Sequence, residues 1–210
     1  MTGGLPGGPP VPVRCGIAVL GVGNPDRGDD GVGPAVVAAL AALAGRLPGD
    51  VRLAVLDGEP SRLVDAWSAA ALAVVVDAAA PSPDGAVPAG TVDVIEIDPA
   101  DQAGLGPPDG AVAQAQGSSG TQGSAGTQGS SGPQRSPGPL VLPEFAVSSH
   151  STGVATAIAL GAALDRLPGR LVIVAVTGTR FDLGAAMSEP VRAAVSRAAD
   201  AVVAAAKRCQ

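Results

Sequence analysis

The chain has 210 residues, is 46% hydrophobic but only 1% aromatic, and carries a net charge of -6 with a pI near 4.6. That length fits one α/β domain with room for an insertion, and its core must be built from Ala, Val, Leu and Ile. The acidic balance repels nucleic acid and anionic membrane, and no aromatic platform is available for base stacking.

Residues 1–13 are rich in Gly and Pro and read as a flexible lead-in to a single α/β domain over 14–208. "CGIAVLG" (15–21) is a short apolar run ending in glycine, the pattern of a buried first strand. The acidic loop "GVGNPDRGDDGVG" follows, and 34–43 then reads as an Ala/Val-rich helix with Pro34 in its first turn. "VRLAVLD" (51–57) predicts a second strand. "PSRLVDAW" (60–67) predicts a short helix with Leu63, Val64 and Trp67 on one face. "ALAVVVD" (71–77) is continuously apolar, as in strands buried on both faces of a parallel sheet, and ends on Asp77. "GTVDVIEID" (90–98) alternates less cleanly and suits a strand at or near an edge.

Residues 100–139 change character. Their "QGSSGTQGSAGTQGSSGPQ" repeat buries too little apolar surface to offset chain entropy, and predicts a disordered insertion. The α/β pattern resumes at once. "EFAVSSHSTGVATAIALGAAL" (144–164) gives an extended segment, a polar turn and a helix. "GRLVIVAVTG" (169–178) is another buried strand. Residues 187–208 form a final helix with Ser188 as its N-cap, and with Lys207 and Arg208 at its negative end. Strand and helix alternate throughout, the signature of a mainly parallel sheet covered on both faces.

The longest apolar runs, "AWSAAALAVVV" and "VATAIALGAAL", are too short to span a bilayer, and "MTGGLPGGPPVPVR" lacks the pattern of a secretory signal. Cys15 and Cys209 show no framework spacing. The expectation is a reduced, cytoplasmic protein. Lys207 is the only lysine, which argues against a P-loop or a Schiff-base lysine, and His150 is the only histidine. There is no GxSxG elbow and neither cysteine is well placed as a nucleophile.

Ligands of such sheets bind at the carboxyl ends of the strands. Three features belong there: the loop holding Asn24, Asp29 and Asp30; Asp77; and His150 in the turn before a helix. Two carboxylates and an imidazole make a three-ligand site for a borderline divalent cation such as Zn or Ni, with open positions left for chemistry. Blander readings stand beside this one. Asp29 or Asp30 also suits a cap on the following helix, Asp77 a local turn bond, and His150 a helix entry. A nucleotide-binding loop is the rival from another class, with Asp57 ending the second strand where a ribose ligand would lie. It fails because Asp26 stands where the fingerprint wants its third glycine, and because two further acids would repel a pyrophosphate.

"GVGNPDRGDDGVG", "VVVDAA", "SSHSTG" and "FDLGAAMSEPV", in this order and spacing, resemble the hydrogenase maturation proteases. These endopeptidases trim the C-terminus of the [NiFe]-hydrogenase large subunit precursor. The resemblance covers residues 15–206 apart from the low-complexity stretch. It implies a three-layer α/β/α sandwich of phosphorylase/hydrolase-like architecture, and an acid, acid and histidine metal trio at Asp30, Asp77 and His150. Asn24 and Asp29 belong to the same motif and are expected to shape the loop or orient the ligands. The resemblance further implies nickel, or another divalent metal, carried by a precursor partner and sensed as a licence to cut. The protease is expected to be a monomer. Water would be activated either by the metal as Lewis acid or by a carboxylate as general base. A non-catalytic checkpoint or chaperone for the same subunit would use the same ligands.

Overall fold

The deepest strands are those with the longest uninterrupted apolar runs. In the computed structural model β1 (Ile17–Val22) and β3 (Leu72–Ala79) are buried along their whole length. The structure describes residues 16–43, 47, 50–81, 85–98 and 151–209. The lead-in, the 100–139 insertion, the extended segment before residue 150 and His150 itself lie outside these.

Five strands form one sheet in the order β2-β1-β3-β5-β4, with β2 at Val51–Leu56, β4 at Val92–Ile97 and β5 at Arg170–Thr177. The β1–β2, β1–β3 and β3–β5 pairs are parallel, and β4 runs antiparallel to β5 at one edge. Helices α1 (Val32–Ala42) and α4 (Glu189–Lys207) cover one face, and α2 (Pro60–Trp67) and α3 (Ser151–Ala163) the other. This is the three-layer α/β/α sandwich expected. Strand alternation sends Leu72, Val74 and Val76 to the α1/α4 layer, and Ala73 and Val75 to the α2/α3 layer. Among the described residues no helix is long and apolar enough to cross a membrane.

With few large side chains the layers come close. A Cβ on Gly33 of α1 would lie 2.3 Å from the Val22 carbonyl oxygen and 2.7 Å from that of Val76. One on Gly21 would lie 2.3 Å from the Gly33 carbonyl. The two glycines therefore seat the first turn of α1 directly on the carboxyl ends of β1 and β3. The strand order reverses there, β2 lying to one side of β1 and β3 to the other, which makes a switch-point crevice. On the opposite face, a Cβ on Gly153 in the first turn of α3 would lie 2.3 Å from the Gly58 carbonyl beyond β2. Both layers thus bring a helix N-terminus to the same edge.

Two expectations change. β3 does not end at Asp77: Ala78 and Ala79 continue the ladder opposite Val176 and Thr177, so Asp77 sits inside the strand. The first helix begins at Val32 and is preceded by a 3₁₀ turn, Gly28–Gly31, that contains both acids.

Gly33→Ala is predicted to cost about 2–4 kcal/mol, because its methyl meets only backbone that cannot yield. A urea midpoint unchanged from wild type would contradict this seating of α1.

Candidate functional site

The acidic loop is built around two carboxylates that do different work. Asp29 is fully buried. Its Oδ2 accepts the N–H groups of Thr179 (2.8 Å) and Arg180 (2.9 Å), and its Oδ1 that of Ser188 (2.7 Å). All three donors belong to the loop between β5 and α4. The backbones add to the strap. Asp29 N–H donates to the Arg180 carbonyl, Gly28 N–H to that of Ala185, and Gly184 N–H to that of Asp26. Burial raises the Asp29 pKa, but the Thr179, Ser188 and Arg180 donors outweigh it and hold the carboxyl below its ordinary 3.8.

Asp30 is held from its own side of the crevice. Asn24 N–H donates to Asp30 Oδ2 at 2.8 Å, while the Asn24 side chain accepts from Asp26 N–H and fixes the turn. Gly23, at φ +126, makes this wrapping feasible: a Cβ there would lie 2.0 Å from the Asp30 carbonyl and 3.1 Å from its Oδ1. Neither acid caps α1, whose N-cap is Gly31 and has no side-chain capping bond. Ser188 occupies the N-cap position of α4 but makes no capping bond either.

Asp77 is the third buried acid, 4% exposed. Alternation along β3 turns it toward the α2/α3 layer, and its Oδ1 accepts Ala78 N–H at 2.8 Å. No arginine or lysine among the described residues pairs with it. Burial raises its pKa to about 7; the Ala78 donor opposes this, and the charge of Asp30 adds to it. Asp30 and Asp77 therefore share one electrostatic environment at the switch point.

The described residues place Asp30 and Asp77 together, with Asn24 and Asp29 around them. His150 lies outside the described residues, although α3 begins at the next residue, Ser151, on the face toward which Asp77 turns. No group of three His, Cys, Asp or Glu suited to a metal assembles among the described residues. The residues to which the sequence assigned no role at the site are those of the β5–α4 loop, 178–188, tied to the acidic loop 26–29 by six hydrogen bonds, four of them to Asp29. The motif "FDLGAAMSEPV" was their only trace.

No family model and no curated protein matches the chain. Solved structures do. The hydrogenase maturating endopeptidase HybD from E. coli is 20% identical, with 92% of this chain and 93% of that one covered and a TM-score of 0.56. The [NiFe] hydrogenase maturation protease HybD from Thermococcus kodakarensis is 18% identical over 91% and 99%, also at 0.56. HycI, a [NiFe] hydrogenase maturation protease from T. kodakarensis KOD1, is 20% identical over 93% and 94%, at 0.51. The chain has the fold of the hydrogenase maturation proteases. At these identities the likeness is one of fold, and chemistry must be argued from the site.

Within this maturation-protease fold the two outer acids affect stability in opposite ways. Native Asp77 keeps its proton to about pH 7, whereas the unfolded chain releases it near 3.8. The folded state then binds more protons across that window, and stability falls as pH rises through it. Asp77→Asn is predicted to remove this slope and to raise the melting temperature above wild type at pH 8. Equal melting curves at pH 8 would refute a strained Asp77. Asp29 acts in the other sense: its contribution is present above pH 3.8 and is lost as pH falls below it. Asp29→Ala, which orphans three backbone donors, is predicted to cost about 3 kcal/mol or more in urea unfolding.

Proposed function

We propose that the protein is an endopeptidase that removes the C-terminal extension of a nickel-loaded [NiFe]-hydrogenase large subunit precursor. The observation that carries this reading is the burial of Asp30 and Asp77 at one switch point of this fold, with no cationic side chain among the described residues paired to Asp77. A buried Asp77 whose ionisation is opposed by burial and by the charge of Asp30 marks a place where a divalent cation relieves the cost. The donor set fits: two carboxylate oxygens, with His150 assigned from the sequence alone as the imidazole, suit a borderline metal such as nickel.

In this reading nickel is cargo of the precursor, and Asp30, Asp77 and His150 read its presence. Nickel, when bound, would supply polarisation of the scissile carbonyl or of the attacking water. The chain's own part is positioning and proton handling. Asn24 N–H fixes the Asp30 carboxylate, and Asp29 holds the neighbouring loop against it. Asp77, poised near neutrality by burial, holds or releases a proton near the pH at which a general acid or base works best. The protein is proposed to act in the cytoplasm and as a monomer.

The test is a mass-spectrometric processing assay on nickel-loaded precursor. Wild type is expected to shorten it, and Asp30→Asn, Asp77→Asn and His150→Ala each to lower the rate by at least about 100-fold while remaining folded. Complex formation with no mass change by wild type would make the protein a checkpoint instead of a protease. Normal processing by any of the three variants would remove that residue from the site.

A further inference from the structure

The structure describes nine arginines, and seven of them have a partner for the guanidinium. Arg62, Arg166, Arg170, Arg192 and Arg208 pair with carboxylates, while Arg52 and Arg197 donate to backbone carbonyls. The two that remain, Arg27 and Arg180, make no side-chain hydrogen bond or ion pair among the described residues. They stand on the two loops that Asp29 straps together. Arg27 directly precedes the 3₁₀ turn that bears the acids, and Arg180 hands its N–H and its carbonyl to Asp29. Its Cγ lies 3.4 Å from where a Gly28 Cβ would be, so the Arg180 stem passes beside Gly28, the residue that follows Arg27.

Beside them a fixed turn presents an apolar side chain. Ala185 N–H closes on the Asp182 carbonyl, Gly184 takes φ +78, and Gly184 N–H is anchored to Asp26. Leu183, at the tip, is 78% exposed, the most exposed large hydrophobic among the described residues. A side chain held out on so firmly bonded a turn loses little freedom on binding, as an anchor requires.

We propose that Arg27 and Arg180 are a carboxylate-receiving pair at the mouth of the Asp30–Asp77 site, with Leu183 as the adjoining apolar contact, and that together they grip the substrate polypeptide. The proposal rests on the protease reading for the identity of that polypeptide. Charge supports it. A peptide bearing a carboxylate approaches a chain of net charge -6 and an acidic crevice, and two guanidiniums without a partner among the described residues, on the loops beside that crevice, supply a local attraction. Guanidinium is also the cation shaped to take a carboxylate in a two-point contact. The carboxylate is either the terminal one of the substrate or an acidic side chain near the bond to be cut.

The test compares wild type with the Arg27→Gln/Arg180→Gln double variant and with Leu183→Ala. Binding of nickel-loaded precursor is measured by calorimetry and its processing by kinetics. The double variant is expected to raise Kd and KM about tenfold with kcat within about twofold, and to flatten the salt dependence of binding. Leu183→Ala is expected to raise KM about threefold with the salt dependence intact. Amidating the precursor's C-terminus, or neutralising its tail acids, is expected to weaken wild-type binding, and the effective one identifies the source. Unchanged Kd and KM in the double variant would mean that the arginines are merely solvated, and would overturn the proposal. So would full wild-type affinity for both altered precursors. Arginine-dependent binding without processing by wild type would overturn the protease reading and leave this pair standing.

Discussion

Three backbone N–H groups converging on the Asp29 carboxylate hold the carboxyl edge of this sheet together. A buried anion is expensive, but donors from an ordered loop replace the water it loses, and charge-assisted bonds of 2.7–2.9 Å are among the strong ones. The consequence is topological. The donors are contributed by residues 179, 180 and 188, so the last βα loop is fastened to the first. Asp30 follows Asp29 in the chain, and its carboxylate is aimed from a backbone that this strap has already immobilised.

The two acids of the Asp29–Asp30 pair are chemically identical and physically opposite. Asp29 receives three backbone donors and becomes part of the frame. Asp30 is placed near Asp77, where its charge adds to the cost of ionising Asp77. A phosphate loop at this switch point would use the same glycines to aim N–H groups outward at an anion. Here Asn24 N–H is aimed inward at Asp30, so the turn delivers negative charge to the crevice.

Much of this was legible in the sequence. Unbroken apolar runs placed the buried strands, and the spacing of Leu63, Val64 and Trp67 gave the bounds of α2. The edge position of β4 followed from its scattered acids, but its antiparallel direction did not, because direction depends on the route of the connection and not on composition. Asp77 read as the end of its strand because a charge conventionally stops a buried run. Ala78 and Ala79, small enough to continue the ladder, hid that it is interior. Least legible was Asp29. Its partners lie about 150 residues away and are backbone groups, which carry no side-chain signature. A helix cap was the natural local reading, and the long-range contact displaced it.

The placement of Asp77 shows what the crevice asks of the fold. A buried carboxyl inside a strand, with no basic partner among the described residues and with the charge of Asp30 nearby, weakens the protein at neutral pH. A hydrophobic side chain there would pack the α2/α3 layer without that cost. Under the proposed function a divalent cation repays that cost. Arrival then matters as much as affinity. In that reading a site this acidic also repels the acidic groups of the polypeptide that would bring the cation, and Arg27 and Arg180, without a side-chain partner among the described residues, stand on the two loops that Asp29 joins. Frame and acid pair thus follow from one arrangement: Asp29 binds the β5–α4 loop, and Asp30, the next residue, is held by Asn24 N–H beside Asp77.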